Sequence, residues 1–185
     1  MNNTSRLWKV LGTLLVVSFG LLLFMGREIY LAAPPMPAAV KTVTGQTLFT
    51  QADIETGRQV WQSIGGHQLG SIWGHGSYVA PDWSADWLHR EATALLDLWA
   101  QRDAGKAYAD LDAVQQAGLQ ARLQQTMRKN TYDPATGVIT VDEDRAQAIR
   151  QVNDHYMRLF GPDVELNTLR AQYAIPQNPI PDVEQ

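Results

Sequence analysis

The sequence predicts a mainly α-helical protein: one N-terminal transmembrane helix, then a helical extramembrane domain carrying a small β-hairpin. Three observations predict it. From Leu7 to Met25 runs LWKVLGTLLVVSFGLLLFM, whose only charge, Lys9, stands near its end. Beyond residue 49, apolar residues recur three and four apart in separate stretches, the period of helices with one buried face. Between two of these stretches, TYDPATGVITVD combines turn residues with weak apolar alternation, the mark of a hairpin.

The apolar run meets the requirement of about 18 or more residues to cross the hydrocarbon, so residues 1–30 read as an anchor helix. A cleaved signal is the alternative, since Ala32, Ala33, Ala38 and Ala39 follow. Its apolar region is usually shorter, and no clean small-x-small triplet stands there. Arg6 and Lys9 favour a cytoplasmic N-terminus, with Trp8 as interfacial anchor. The main body is then expected in the periplasm of a bacterial cell, held at the inner membrane.

Residues 31–48 contain APPMPAAVK at 33–41, where each proline disfavours a helical residue before it, and are expected to form a linker. The domain proper is expected over residues 49–174, with 175–185 (IPQNPIPDVEQ) as a second proline-rich connector. Thr50 with Asp53 predicts a capped helix to about Ser63, carrying Ile54, Gly57, Val60, Trp61 and Ile64 on one face. Gly57 there would admit a close neighbour. Asp82 or Ser84 caps a second helix to about Arg102, with Trp87, Leu88, Ala94, Leu95, Leu98 and Trp99 buried. A third, about 110–129, buries Leu111, Val114, Leu119, Leu123 and Met127. After the hairpin, Thr140 with Glu143 caps a fourth through Phe160, which Gly161-Pro162 stops.

Charge and composition limit the function classes. Two of the 15 Lys and Arg head the apolar run, leaving 13 against 19 Asp and Glu, a balance of -6. Nucleic acid is an unsuitable partner for so acidic a body. The absence of cysteine excludes disulfides, thiolate metal sites and thioether haem attachment.

Gly65 to Glu91 holds most of the functional information. Five glycines fall between Gly65 and Gly76, and Trp61, Trp73, Trp83 and Trp87 lie in or beside the stretch. Ordering so flexible and aromatic a turn requires a large surface to pack on. Trp61 and Trp99 read as core, whereas Trp73 and Trp83 are candidates to face a partner. His67, His75, His89 and His155 suggest a metal site, but their spacing matches no zinc signature; the alternative is that His67 and His75 hydrogen-bond within the glycine loop and His89 rides on a helix. Asp86 and Glu91 could serve as acid and base, or simply complement a helix dipole. No nucleophile and base pair or phosphate loop is visible, so no independent active site is expected.

DIETGRQVWQSIGG followed by GSIWGHGSYVAPDWSADWLHRE resembles the N-terminal extramembrane region of the quinol-dependent nitric oxide reductases. That region is itself similar to the membrane-anchored cytochrome c subunit of the cytochrome-dependent enzymes, and the resemblance covers most of the chain. It implies a cytochrome c-like fold. In the cytochrome subunit, one helix like that at Gly57 runs into CxxCH; the matching positions here are Gly66, Leu69 and Gly70, so no haem c is expected. Trp61, Trp73 or Met127 are candidates to fill the emptied pocket.

The family reduces two NO to N2O and water with haem b, haem b3 and non-haem iron, all held in a multi-helix membrane domain. The resemblance therefore implies no catalytic residue and no cofactor bound by this chain alone, and a non-catalytic part docking onto that domain and shaping its periplasmic side. Its expected contact residues are Trp73, His75, Gly76, Tyr78 and Trp83, and its electrons come indirectly from quinol. The sequence is expected to be an N-terminal fragment or a truncated reading frame. By the same resemblance, backbone carbonyls of Gly76 and Tyr78 would contribute to a calcium site. Two other readings stay open: a free-standing membrane-tethered periplasmic interaction module of a respiratory complex, and a small periplasmic metal-binding protein.

Overall fold

The computed structural model of the protein describes residues 3–72 and 81–176. The chain divides into two units, Met1–Met36 and Pro37–Gln185. In the first, α1 (Asn3–Ala32) is one uninterrupted helix whose side chains are exposed along its length. At 1.5 Å per residue its 30 residues extend about 45 Å, more than the ~30 Å of hydrocarbon. It is long and apolar enough to cross a membrane.

In the second unit the expected linker is corrected. From residue 39 the chain forms β1 (Ala39–Thr42) and β2 (Thr47–Thr50), an antiparallel pair turning through Gly45 at φ +88°. β1 also pairs in parallel with β4 (Val138–Val141), which pairs antiparallel with β3 (Tyr132–Asp133). The expected hairpin is thus half of a four-stranded mixed sheet, in the order β2-β1-β4-β3.

The helices start where short polar side chains satisfy their first amides. α2 (Gln51–Ser63) has the expected capping box of Thr50 and Asp53. α3 (Trp83–Ala104) starts at Asp82, whose carboxylate accepts the Ala85 N-H, and stops at Gly105 in the left-handed region. α4 (Ala113–Arg128) is capped by Asp112 and Gln115. α5 (Glu143–Phe160) is capped by Asp142, not Thr140, because β4 holds Thr140 in the sheet. Two faces differ from expectation: Val114 is 83% exposed and Leu88 49% exposed, each on the outward side of its helix. Among the described residues, nothing lies within 4 Å of the point where a methyl on Gly57 would stand, so none of them approaches that glycine closely.

α3 and α5 pack against each other at the centre, Trp83 meeting Phe160 at one end and Trp99 meeting Asp144 at the other, so the two run antiparallel. Apolar clusters surround them. Leu95, Trp99 and Ala148 take Leu119, Leu123 and Met127 from α4. Val141, Ala146 and Ile149 join the sheet to Trp87. Trp83, Leu159 and Ile175 gather Trp61, Tyr156, Phe160, Leu166, Leu169 and Tyr173.

A last helix that the sequence reading missed, α6 (Asn167–Gln172), brings Arg170 under the end of α5. Its buried guanidinium donates to the carbonyls of Arg158, Leu159, Gly161 and Asp163 and to Asn167 Oδ1. Arg158 and Leu159 stand in the last turn of α5, where carbonyls run out of helical N-H donors, and the cation completes them. Ile175, placed by sequence in the connector, is 5% exposed and belongs to the core.

Candidate functional site

The glycine-rich stretch enters the fold at Ile64, where α2 ends. Gly65 turns with φ +71°, and Gly66–Gln68 form one 3-10 turn leading to buried Leu69. A methyl on Gly66 would lie 2.2 Å from the Trp61 ring, and one on Gly70 would lie 2.2 Å from Trp83 Nε1 and 2.7 Å from the Pro81 carbonyl. Both glycines therefore carry an indole where any other residue would carry Cβ. The chain then returns through Ser71, whose carbonyl accepts the Trp83 N-H and whose hydroxyl bonds Asp82.

Trp83 is the centre of this region and its position corrects the contact role expected for it. It is 8% exposed, with rings of Trp61, Tyr156, Phe160 and Tyr173 edge-on at 6.2, 6.0, 5.4 and 5.8 Å. Such edge-to-face contacts are each worth roughly 0.5–1.5 kcal/mol beyond area burial. Trp61 also meets Phe160 at 6.2 Å. Neither Trp61 Nε1 nor Trp83 Nε1 has a hydrogen-bond partner among the described residues. Met127, the other candidate filler, is corrected too: it packs on the Leu95 and Trp99 cluster. Trp73, His75, Gly76 and Tyr78 lie outside the described residues, as does the side chain of His67.

Beside the aromatic cluster runs a buried polar layer. Tyr156 stacks on Trp87 at 5.5 Å and donates to Asp86 Oδ2 at 2.6 Å, which also accepts Arg90 Nε at 2.7 Å. Burial and that hydrogen bond push the Tyr156 hydroxyl far above its ordinary range, so it stays a donor. His155 is held below its usual value by burial and by the Arg90 charge, which keeps its imidazole neutral near pH 7. Glu91, 2% exposed, accepts Arg145 Nε at 2.6 Å and Trp87 Nε1 at 3.3 Å. Thus Asp86 and Glu91 are structural ion-pair partners rather than an acid and base. The burial of Glu91 was missed, although it stands four residues from both Trp87 and Leu95 on one helix stripe.

The residues do not fit a covalently held haem. The positions matched to CxxCH are Gly66, Leu69 and Gly70, and indoles close on both glycines. Among the described residues, no three His, Cys, Asp or Glu side chains are grouped to hold a metal ion. His89 and His155 share a shallow groove between α3 and α5 without forming such a group. The arrangement packs and positions; among the described residues it brings no nucleophile together with a base.

A mainly helical, cysteine-free domain with aromatic side chains where a haem would attach is the class defined here. Residues 37–185 match the family model for the NorB cytochrome c-like domain of nitric oxide reductase. The chain belongs to that family. Among curated proteins, no match to the chain was found.

Proposed function

We propose that the chain is the N-terminal, non-catalytic part of a quinol-dependent nitric oxide reductase, docking onto the membrane domain that reduces two NO to N2O and water. The observation that carries this reading is the pair Gly66 and Gly70, closed by Trp61 and Trp83 within a domain of the NorB family. A cytochrome-fed enzyme needs a haem here; one fed by membrane quinol does not. The absence of cysteine agrees with that choice.

In this reading α1 crosses the bacterial inner membrane with its N-terminus in the cytoplasm, as Arg6 and Lys9 favour, and the domain lies in the periplasm. Trp73, His75, Gly76 and Tyr78 form the contact with the catalytic domain. The Gly76 and Tyr78 carbonyls supply part of a calcium site completed by that domain. Haem b, haem b3 and non-haem iron belong to the partner domain.

The test supplies the multi-helix domain of such a reductase in trans, in the same membranes as the full chain. The two are expected to co-purify and to consume NO with a quinol donor, with no haem absorbance assignable to this chain. Failure to co-purify, or iron porphyrin held by this chain alone, overturns the reading.

A further inference from the structure

Away from the aromatic cluster, the end of α4, β4 and the start of α5 enclose a cleft of about 420 Å³. Its polar wall includes Lys129, Arg145, Gln125, Thr126, Thr131 and Thr140. Lys129 is exposed and has no ion pair among the described residues. Arg145 is different, because it is held from behind. Glu91, 2% exposed, takes its Nε at 2.6 Å, and Trp87 fixes the other carboxylate oxygen at 3.3 Å. No hydrogen bond among the described residues engages either Nη of Arg145, whose side chain is 22% exposed and lines the cleft.

We propose that this cleft binds a small oxyanion, a phosphate or a carboxylate, between the Nη groups of Arg145 and the ammonium of Lys129. The guanidinium presents parallel N-H donors that match two oxygens of such a group, and its orientation is already fixed by Glu91. The hydroxyls of Thr126, Thr131 and Thr140 and the Gln125 amide provide further neutral donors around it. The Asp142 carboxylate also lines the cleft, but it accepts the Arg145 backbone N-H as helix cap. The site is confined to residues that the reductase reading does not use, so either can fail without the other.

The test titrates inorganic phosphate into the full chain in uncharged detergent micelles at fixed ionic strength. Heat of binding and the indole N-H resonance of Trp87 are followed together, since Trp87 senses the Glu91 carboxylate. Saturable binding is expected, with an affinity loss of about tenfold or more in Lys129→Gln and in Arg145→Lys. Lys129 is exposed, so its variant keeps the fold and isolates the charge. No saturable uptake by the unaltered chain, or unchanged affinity in either variant, overturns the proposal. Repeating the titration in phosphatidylglycerol and phosphatidylcholine vesicles separates the two sources: suppression only by phosphatidylglycerol identifies a lipid headgroup, and equal binding identifies a soluble anion.

Discussion

Gly66 and Trp61 define each other. With the ring 2.2 Å from where Cβ would sit, Gly66→Ala forces the indole outward. Such overpacking typically costs about 1–3 kcal/mol. In a Trp61→Ala background the same substitution is expected to cost almost nothing, because the obstacle is gone. Chemical denaturation of the four proteins measures this, and equal costs in both backgrounds would refute the contact. Sequence reading brought Trp61 forward as a filler but sent Trp83 outward, because an irregular glycine-rich neighbourhood says nothing about which way a ring turns. The answer lay in Tyr156, Phe160 and Tyr173, more than seventy residues further along.

α3 is tied to α5 by two ion-pair systems, and each makes a distinct prediction. Removing Glu91 leaves the Arg145 charge without its buried partner, so Glu91→Ala is expected to cost about 3–5 kcal/mol, whereas Glu91→Gln with Arg145→Met recovers much of it. Thermal unfolding of the full chain in detergent reads this as a fall of about 2–4 °C per kcal/mol. A double variant no more stable than Glu91→Ala would contradict it.

At the other end, Asp144 accepts Trp99 Nε1 at 2.8 Å and Arg102 Nη1 at 2.8 Å, while Arg122 stacks over Trp99 at 4.0 Å. The Arg102 hydrogen bonds hold the Asp144 carboxyl below the usual range against the opposing pull of burial, with Trp99 and Arg122 assisting. The unfolded chain therefore binds this proton first. The stabilisation is complete above the ordinary aspartate value of about 3.9 and disappears as pH falls through the lower folded value. Asp144→Asn is expected to cost about 1 kcal/mol at pH 7, discounted because Arg102 is half-exposed, and to cost progressively less in acid. A cost independent of pH would show that the charge is irrelevant. The starts of α2 and α3 were readable because their caps are local: Thr50 with Asp53, and Asp82 before its helix, need only neighbours in sequence. Glu91 with Arg145 was not, since 54 residues separate them.

The chain as a whole divides at residue 36, and its second unit begins with a strand that stands inside the sheet. Proline-rich composition hid this, because AAPPMPAAVK reads as a connector until a parallel partner is known. A chain beginning at residue 37 is expected to retain the cooperative thermal transition of the second unit. One beginning at residue 43 lacks β1, which separates β2 from the β4-β3 pair, and two-stranded remnants are marginal. Circular dichroism on heating compares them, and equal transitions would mean that β1 contributes nothing.

Ala39 faces Val138, a separation of 138 - 39 = 99 residues. During synthesis β1 emerges early and waits, with one edge unsatisfied, until nearly a hundred more residues have left the ribosome. Closing so long a loop is slow, and an open strand edge invites pairing with other chains meanwhile. The helices between can form first from their own caps, leaving the sheet as the last event of folding. A chaperone that shields this early segment would therefore raise the yield of correctly assembled protein more than one acting on any helix.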